Sequence, residues 1–474
     1  AHASEVWVDP LGGAIITGPG GNRLYFGQLL ERLKINTHVY KVGTYKDFVE
    51  PYLYDKASEP SKEARRALYA ALWESWKADV AKARPKAQID KVTADPVGWV
   101  KESGGDFAKA ALAAGLVDKL GDKVAFGERV RQVAGEDPLS DRPGSYAHNK
   151  PATLLAAHPL SRSGDAVAVV TVAGDLVDGK AGPGTAGGER VAKLIDKANT
   201  DNAKALVLRV DSPGGSMMAS EQIRLALERF KAGGRPVVVS MANVAASGGY
   251  WVSTPAQRVF AEPSTVTGSI GIFAILPSFE RTLADWGVKS DGVTTTALAG
   301  QPDLMGGFTP ELDQILQANV ENNYGRFLAL VGKARGKSVA DIEKVAEGRV
   351  WDGGTARQLG LVDQFGGLDD ALVYAAQAAR LGDWHAAYYD SETDPLASLI
   401  ERLGEEEEAA PAAGLDLFGL IAQRQQDQAA RAIADLKWLT SARGVQAYCL
   451  ECPVPAAAKS ADAQVSWLAR LIAA

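Results

Sequence analysis

The sequence predicts an α/β protein with mainly parallel sheets, assembled from two tandem copies of one domain, the first of them cut short at its N-terminus. Three observations carry that expectation. Short apolar runs end in glycine-bearing turns and lead into amphipathic helices. Segments far apart in the chain resemble one another in the same order and at nearly the same offset. The 474 residues include 49 glycines but only 7% aromatics, a balance suited to many tight strand-to-helix connections.

The strand–turn–helix pattern is clearest after residue 165. Ala166 to Val172 is a run of small and β-branched apolar residues and reads as a buried strand. Ala205 to Val210 and Pro236 to Ser240 read the same way, and Ser220 to Phe230 is the clearest of the helices that follow. A strand that returns to its sheet through a helix runs parallel to its neighbour, so the layering is parallel α/β.

The duplication shows in three places. Ser4-Glu5-Val6-Trp7-Val8-Asp9-Pro10 resembles Gln257-Arg258-Val259-Phe260-Ala261-Glu262-Pro263. A helix with Leu72-Trp73, Trp76 and Lys82-Ala83-Arg84 matches one with Asn323-Tyr324, Phe327 and Lys333-Ala334-Arg335. Gly115-Leu116-Val117-Asp118 recurs as Gly360-Leu361-Val362-Asp363. A common offset of about 250 residues means a duplicated domain rather than a solenoid of short repeats. The expected division is a first repeat at residues 1–150, a second at 165–385 and a C-terminal extension at 386–474. Loop signals at Glu136–Pro138, Arg142–Gly144 and Ser161–Gly164 mark the join. The extension holds an acidic linker at Glu405–Glu408 and an expected helix at Ala429–Leu439. The strand-like Glu5–Pro10 stands so near residue 1 that an upstream segment, with any anchor or export signal, is expected to be missing.

Composition narrows the partners. With 51 basic and 58 acidic residues the formal charge is −7, and no basic block exists to hold nucleic acid. No run approaches 18 uninterrupted apolar residues. Cys449 and Cys452 form a lone C-x-x-C near the C-terminus, with no second pair or nearby histidine to complete a zinc site. The favoured reading is two thiols or a local disulfide pinning the end of the fold. No cofactor and no metal is expected.

The chemistry-bearing residues lie at strand ends. Asp211-Ser212-Pro213-Gly214-Gly215 ends the strand Ala205 to Val210, and its glycines let backbone N–H groups face outward as an oxyanion hole requires. The same letters also spell an ordinary turn. Ala245-Ala246-Ser247-Gly248-Gly249-Tyr250 follows the next strand and places a serine among small residues at a strand-to-helix transition, the setting of an exposed nucleophile. Gly248 N–H is then a candidate oxyanion donor, and a helix N-cap serine is the plainer alternative. None of the five histidines (His2, His38, His148, His158, His385) lies in a glycine-rich turn or beside a suitable acid in these loops. A lysine can replace histidine as base where burial disfavours its charged form. Lys46, in Val42-Gly43-Thr44-Tyr45-Lys46 with Phe48, Val49 and Pro51 beyond it, has an apolar setting of that kind. Most lysines are simply solvated.

At these residues the chain resembles signal peptide peptidase A, in its long two-repeat form. The resemblance rests on Val42–Lys46 with Val49-Glu50-Pro51, on Asp211–Gly215, on Ala245–Trp251 and on Pro263–Gly271, in that order, and it runs from residue 1 to about Cys452. It implies a fold related to the Clp protease and crotonase superfamily. It implies Ser247 as nucleophile, Lys46 as general base, Ser269 as the serine that holds the lysine amine, and Gly215 and Gly248 as oxyanion donors. It further implies remnant signal peptides as substrates, a homotetramer, and attachment to the inner membrane on its periplasmic side through an N-terminal helix. The position matching Lys46 in the second copy is Ala299, and the position matching Ser247 in the first copy falls before residue 1, so the dyad is expected to form across the two repeats. A crotonase-type acyl-CoA enzyme and a non-catalytic membrane-protein scaffold are the competing readings.

Overall fold

The computed structural model describes residues 3–159, 162–181, 184–389, 433–434, 444–450 and 452. The expected linker Glu405–Glu408 lies outside these residues, as does the expected helix Ala429–Leu439 apart from Ile433 and Ala434. Among the described residues the chain divides into two compact units, a smaller one of residues 3–21 and 72–159 and a larger one of residues 22–71 and those from 162 onward. Residues 22–71, which precede the repeat border read from the sequence, thus belong with the segments that follow it.

The smaller unit is mostly helical. Its helices Pro96–Glu102, Phe107–Ala113 and Lys123–Ala134 each begin behind an aspartate, and Asp95, Asp106 and Asp122 accept from Gly98 N, Lys109 N and Ala125 N. These caps satisfy amide groups that the first helical turn leaves unpaired. Val80, Ile89, Val92, Trp99, Ala110 and Leu116 form its core. The strand-like start of the chain becomes Trp7–Val8, paired in parallel with Lys119–Leu120.

The larger unit holds two sheets. Along the chain come β1 (Asn36–Val42), β2 (Asp165–Ala173), β3 (Asp175–Val177), β4 (Thr185–Gly187) and β5 (Ala205–Ser212). β6 (Gly214–Ser216), β7 (Val237–Ala246), β8 (Arg258–Ala261), β9 (Val266–Gly268) and β10 (Ile272–Ser278) follow. β11 (Val350–Asp352), β12 (Gln364–Phe365), β13 (Trp384–Tyr389) and β14 (Gln446–Tyr448) complete the described strands. The first sheet runs β11-β9-β7-β5-β2-β13, with β8 joining β7 to β12. All its pairings are parallel except β9 with β11. Both faces are covered, as continuous apolar strands require. Ala168, Val170 and Val172 pack with the helices Gly188–Thr200 and Met217–Ala232, while the alternate residues Val167 and Val169 pack with Leu368–Ala378.

The second sheet runs β1-β10-β14-β6-β3-β4 and is mixed. Its longest pairing is antiparallel, with Val42 opposite Ile272 and Asn36 opposite Ser278. The fold is therefore α/β with largely parallel sheets. Among the described residues no helix is long and apolar enough to cross a membrane.

Candidate active site

Strand register brings the three predicted side chains together. β9 lies parallel to β7 with Gly268 opposite Ala246, so the next residue on each strand, Ser269 and Ser247, emerges at the same sheet edge. β1 runs antiparallel to β10, and the turn after Val42 carries Lys46 back toward the turn before Ile272, where Ser269 stands. The Lys46 amine donates to Ser247 Oγ at 3.0 Å, to Ser269 Oγ at 3.1 Å and to Ser269 O at 3.3 Å. Lys46 is 1% exposed, Ser247 0% and Ser269 1%. Lys46 Nζ also lies 5.8 Å from the Phe273 ring centroid. These are the geometric requirements for proton transfer between an amine and a hydroxyl.

The backbone around the two serines is held in sparsely populated conformations. Ser247 has φ 55° and Ser269 φ 50°, in the left-handed region that residues with side chains avoid. Ser247 N donates to Gly268 O at 2.8 Å, and Tyr250 N and Trp251 N donate back to Ser247 O at 2.9 Å each. The Tyr250 hydroxyl donates to Leu361 O at 2.7 Å, and burial pushes its ionisation up to about 12.

The predicted oxyanion residues abut the same point. A methyl group built on Gly214 would collide with the Ala447 carbonyl oxygen and lie 2.8 Å from Gly248 N. One on Gly248 would lie 3.1 Å from that same oxygen. The carbonyl comes from β14, whose Ala447 is opposite Gly215 in an antiparallel pairing. Met217 N donates to Val445 O at 3.3 Å and Cys449 N to Pro213 O at 2.9 Å. Their spacing makes Ala447 and Gly215 a pair that exchanges both backbone hydrogen bonds, so Gly215 N–H is directed at the Ala447 carbonyl. Cys449 and Cys452 are joined as a disulfide directly after this strand.

Two features carried no signal in the sequence. β14 completes a sheet with strands hundreds of residues earlier, and only Cys449 and Cys452 just beyond it stand out in the sequence. Asp175, at the start of β3, has a carboxyl raised above the usual range by burial and partly restored by the Tyr448 hydroxyl. Its Oδ1 has no hydrogen-bond partner among the described residues.

A second array resembles a triad by type. His38 Nε2 lies 2.9 Å from Ser278 Oγ, and His38 Nδ1 lies 3.3 Å from Asp313 Oδ1. Ser278 is 0% exposed, and its neighbour Phe279 donates its N–H to Leu304 O at 2.7 Å. His148 lies in the smaller unit, its Nδ1 3.0 Å from Tyr146 O, and the His385 ring meets Ser163 O at 3.1 Å.

The molecule is thus an α/β protein whose glycine-lined strand ends carry a buried amine–hydroxyl pair. The model of peptidase family S49 matches residues 1–135 and 229–382, and the chain belongs to that family. It is 39% identical to "Protease 4" of Salmonella typhi over 414 residues, which is 85% of this chain and 65% of that protein. It is 32% identical to "Putative signal peptide peptidase SppA" of Enterococcus faecium over 205 residues, 43% of this chain and 60% of that protein. The chain thus spans about two thirds of the length of such relatives. Among solved structures it is similar to a ClpP1 mutant from Listeria monocytogenes at 17% identity and a TM-score of 0.30, over 43% of this chain and 94% of that one, a likeness on which no argument rests.

Proposed function

We propose that this chain is a serine endopeptidase in which Ser247 is the nucleophile and Lys46 the general base. One observation carries the reading: the buried Lys46 amine donates to the Ser247 hydroxyl at 3.0 Å while Ser269 holds it from the other side. Membership of a peptidase family and relatives whose names call them proteases support it.

In the reaction, Ser247 Oγ attacks the scissile carbonyl carbon as the neutral Lys46 amine takes the hydroxyl proton. Negative charge gathers on the former carbonyl oxygen, which takes the place Ala447 O holds in this structure, so that Gly248 N–H and the Gly215 N–H released from Ala447 donate to it. Lys46 then gives its proton to the departing amine, leaving an acyl group on Ser247. Water, deprotonated by Lys46, releases the acid and restores the hydroxyl. Ser269 limits the positions the amine can adopt, which keeps it aimed at Ser247.

The substrate reading is an extended peptide that takes the place of β14 against β6, since β-strand pairing offers main-chain hydrogen bonds to any sequence. Ala447, the residue of β14 opposite Gly215, fits a preference for small and medium apolar residues before the scissile bond. Remnant signal peptides have that character, and the relative named as a signal peptide peptidase agrees with it. Membrane attachment on the periplasmic side and assembly as a homotetramer belong to the same reading. The Cys449–Cys452 disulfide fits an oxidising compartment.

The test is hydrolysis of an apolar peptide ester set against turnover of an acyl-CoA thioester, each with wild type and Ser247→Ala. Peptide cleavage that Ser247→Ala abolishes supports the reading. Thioester turnover that survives the substitution points to a crotonase-type enzyme instead.

A further inference from the structure

Three turns interlock behind the Lys46 amine. One is Gly43–Lys46, one is Ser269–Gly271, and the third, Glu347–Arg349, comes from a part of the chain with no assigned role. Tyr45 N donates to Glu347 O at 2.9 Å. Ser269 N donates to Arg349 O at 2.7 Å, and Gly348 N donates to Ile270 O at 2.9 Å. The third turn therefore bonds on one side to the residue before the base and on the other to the serine that orients it.

The fit leaves no room for a side chain. A methyl group on Gly348 would lie 2.7 Å from Lys46 N and Cβ and 2.8 Å from Lys46 Cα, at a φ of +77° that favours glycine. One on Gly271 would lie 2.9 Å from Gly348 Cα and 3.1 Å from Lys46 Cδ. Side chains fix the turn from outside. The Arg349 guanidinium lies 4.7 Å from the Tyr45 ring centroid and 4.5 Å from that of Trp351. It donates to the Tyr45 hydroxyl at 3.2 Å and pairs with Glu63 at 3.2 Å. Glu347, whose φ is 48°, donates its N–H to the Tyr324 hydroxyl at 3.2 Å.

We propose that the Glu347–Gly348–Arg349 turn is a positioning element for the reaction: it sets the Lys46 amine against Ser247 by clamping the Lys46 and Ser269 turns together. The proposal rests on the serine–lysine reading above. Gly348 and Arg349 act through Lys46 and Ser269, so they are positioning residues. Their substitution should lower kcat and spare KM, because the amine drifts while β6, the strand the peptide is proposed to pair with, is untouched. A displacement of about 1 Å at a reacting group can cost about 10²-fold in rate.

The experiment measures kcat, KM and the thermal unfolding midpoint of the full chain for Gly348→Ala, Arg349→Ala, Arg349→Lys and Lys46→Ala on one peptide substrate. The expected result is a loss of about 10²-fold in kcat for Gly348→Ala with KM near wild type. Arg349→Ala should lose about tenfold, and Arg349→Lys, which keeps the charge beside Glu63 and the rings, should fall between it and wild type. Should Gly348→Ala fail to fold, the two Arg349 variants decide. Folded variants with wild-type kcat beside an inactive Lys46→Ala would overturn the positioning role alone. An active Lys46→Ala would instead overturn the dyad on which it rests.

Discussion

Gly-Leu-Val-Asp occurs in both units and builds the same local structure in each. In the smaller unit Asp118 accepts from Val6 N at 2.7 Å and pairs with Arg84 at 2.8 Å, beside the parallel strands Trp7–Val8 and Lys119–Leu120. In the larger unit Asp363 accepts from Val259 N at 2.7 Å and pairs with Arg335 at 3.1 Å, beside parallel β8 and β12. The difference lies in what each unit buries. Among the described residues every buried polar or charged side chain, Lys46, Ser247 and Ser269 included, belongs to the larger unit. The smaller unit buries aliphatic and aromatic side chains such as Val92, Trp99 and Leu116. Burying polar groups costs free energy that hydrogen bonds only offset. A framework shared by both units, and polar burial confined to one, separates architecture from chemistry.

The comparison predicts its largest effect at the dyad. Ser247→Ala and Lys46→Ala should each cut peptide kcat by about 10⁴-fold or more, and the double variant should be little worse, because the two groups act as a unit. Additive losses would show that they work separately. Ser269→Ala should cost roughly 1–2 kcal/mol of transition-state stabilisation, the worth of one hydrogen bond to the amine. An unchanged kcat would remove Ser269 from the account.

The framework residues sharpen the contrast. Asp118→Asn should cost about 0.5–1 kcal/mol of stability through its lost, solvent-screened ion pair, seen as a slightly lower unfolding midpoint, and leave kcat unaltered. A fall in kcat with a normal midpoint would mean that the smaller unit takes part in catalysis.

Two aspartates should respond to pH in opposite directions. The Arg84 guanidinium and the Val6 amide hold Asp118 below its ordinary 3.8, so the unfolded chain binds more protons near that pH. Its contribution is present above 3.8 and is lost as pH falls through the depressed value. Burial raises Asp175 above 3.8, so the folded chain binds more protons there. Stability should decline as pH rises from 3.8 through the raised value, and Asp175→Asn should abolish that decline. Unfolding midpoints across mildly acidic pH, read for each variant, check both signs.

Much of the larger unit was legible because its signals are local. The expected strands Ala166–Val172 and Ala205–Val210 appear as β2 and β5, and the helix Ser220–Phe230 lies within Met217–Ala232. Pro236–Ser240 proved the opening of a longer strand, since β7 starts at Val237 and runs through Ala245 and Ala246 directly to Ser247. Ser247 and Lys46 stand out by their sequence settings and Ser269 only through the family resemblance, and the structure brings all three within hydrogen-bonding distance. The Glu347–Arg349 turn left no such trace. It works through backbone groups, which every residue carries, and meets Lys46 across some three hundred positions of sequence. The place of residues 22–71 in the larger unit was hidden for the same reason: β1 pairs with β10 across more than two hundred positions of sequence.

The central claim, that Ser247 is activated by Lys46, is tested most directly by labelling the full chain with a fluorophosphonate and mapping the modified peptide. The account predicts a label on Ser247 that disappears in Lys46→Ala, at an unchanged unfolding midpoint, and persists in His38→Ala. A label on Ser278, or one on Ser247 that survives Lys46→Ala and vanishes in His38→Ala, would contradict it.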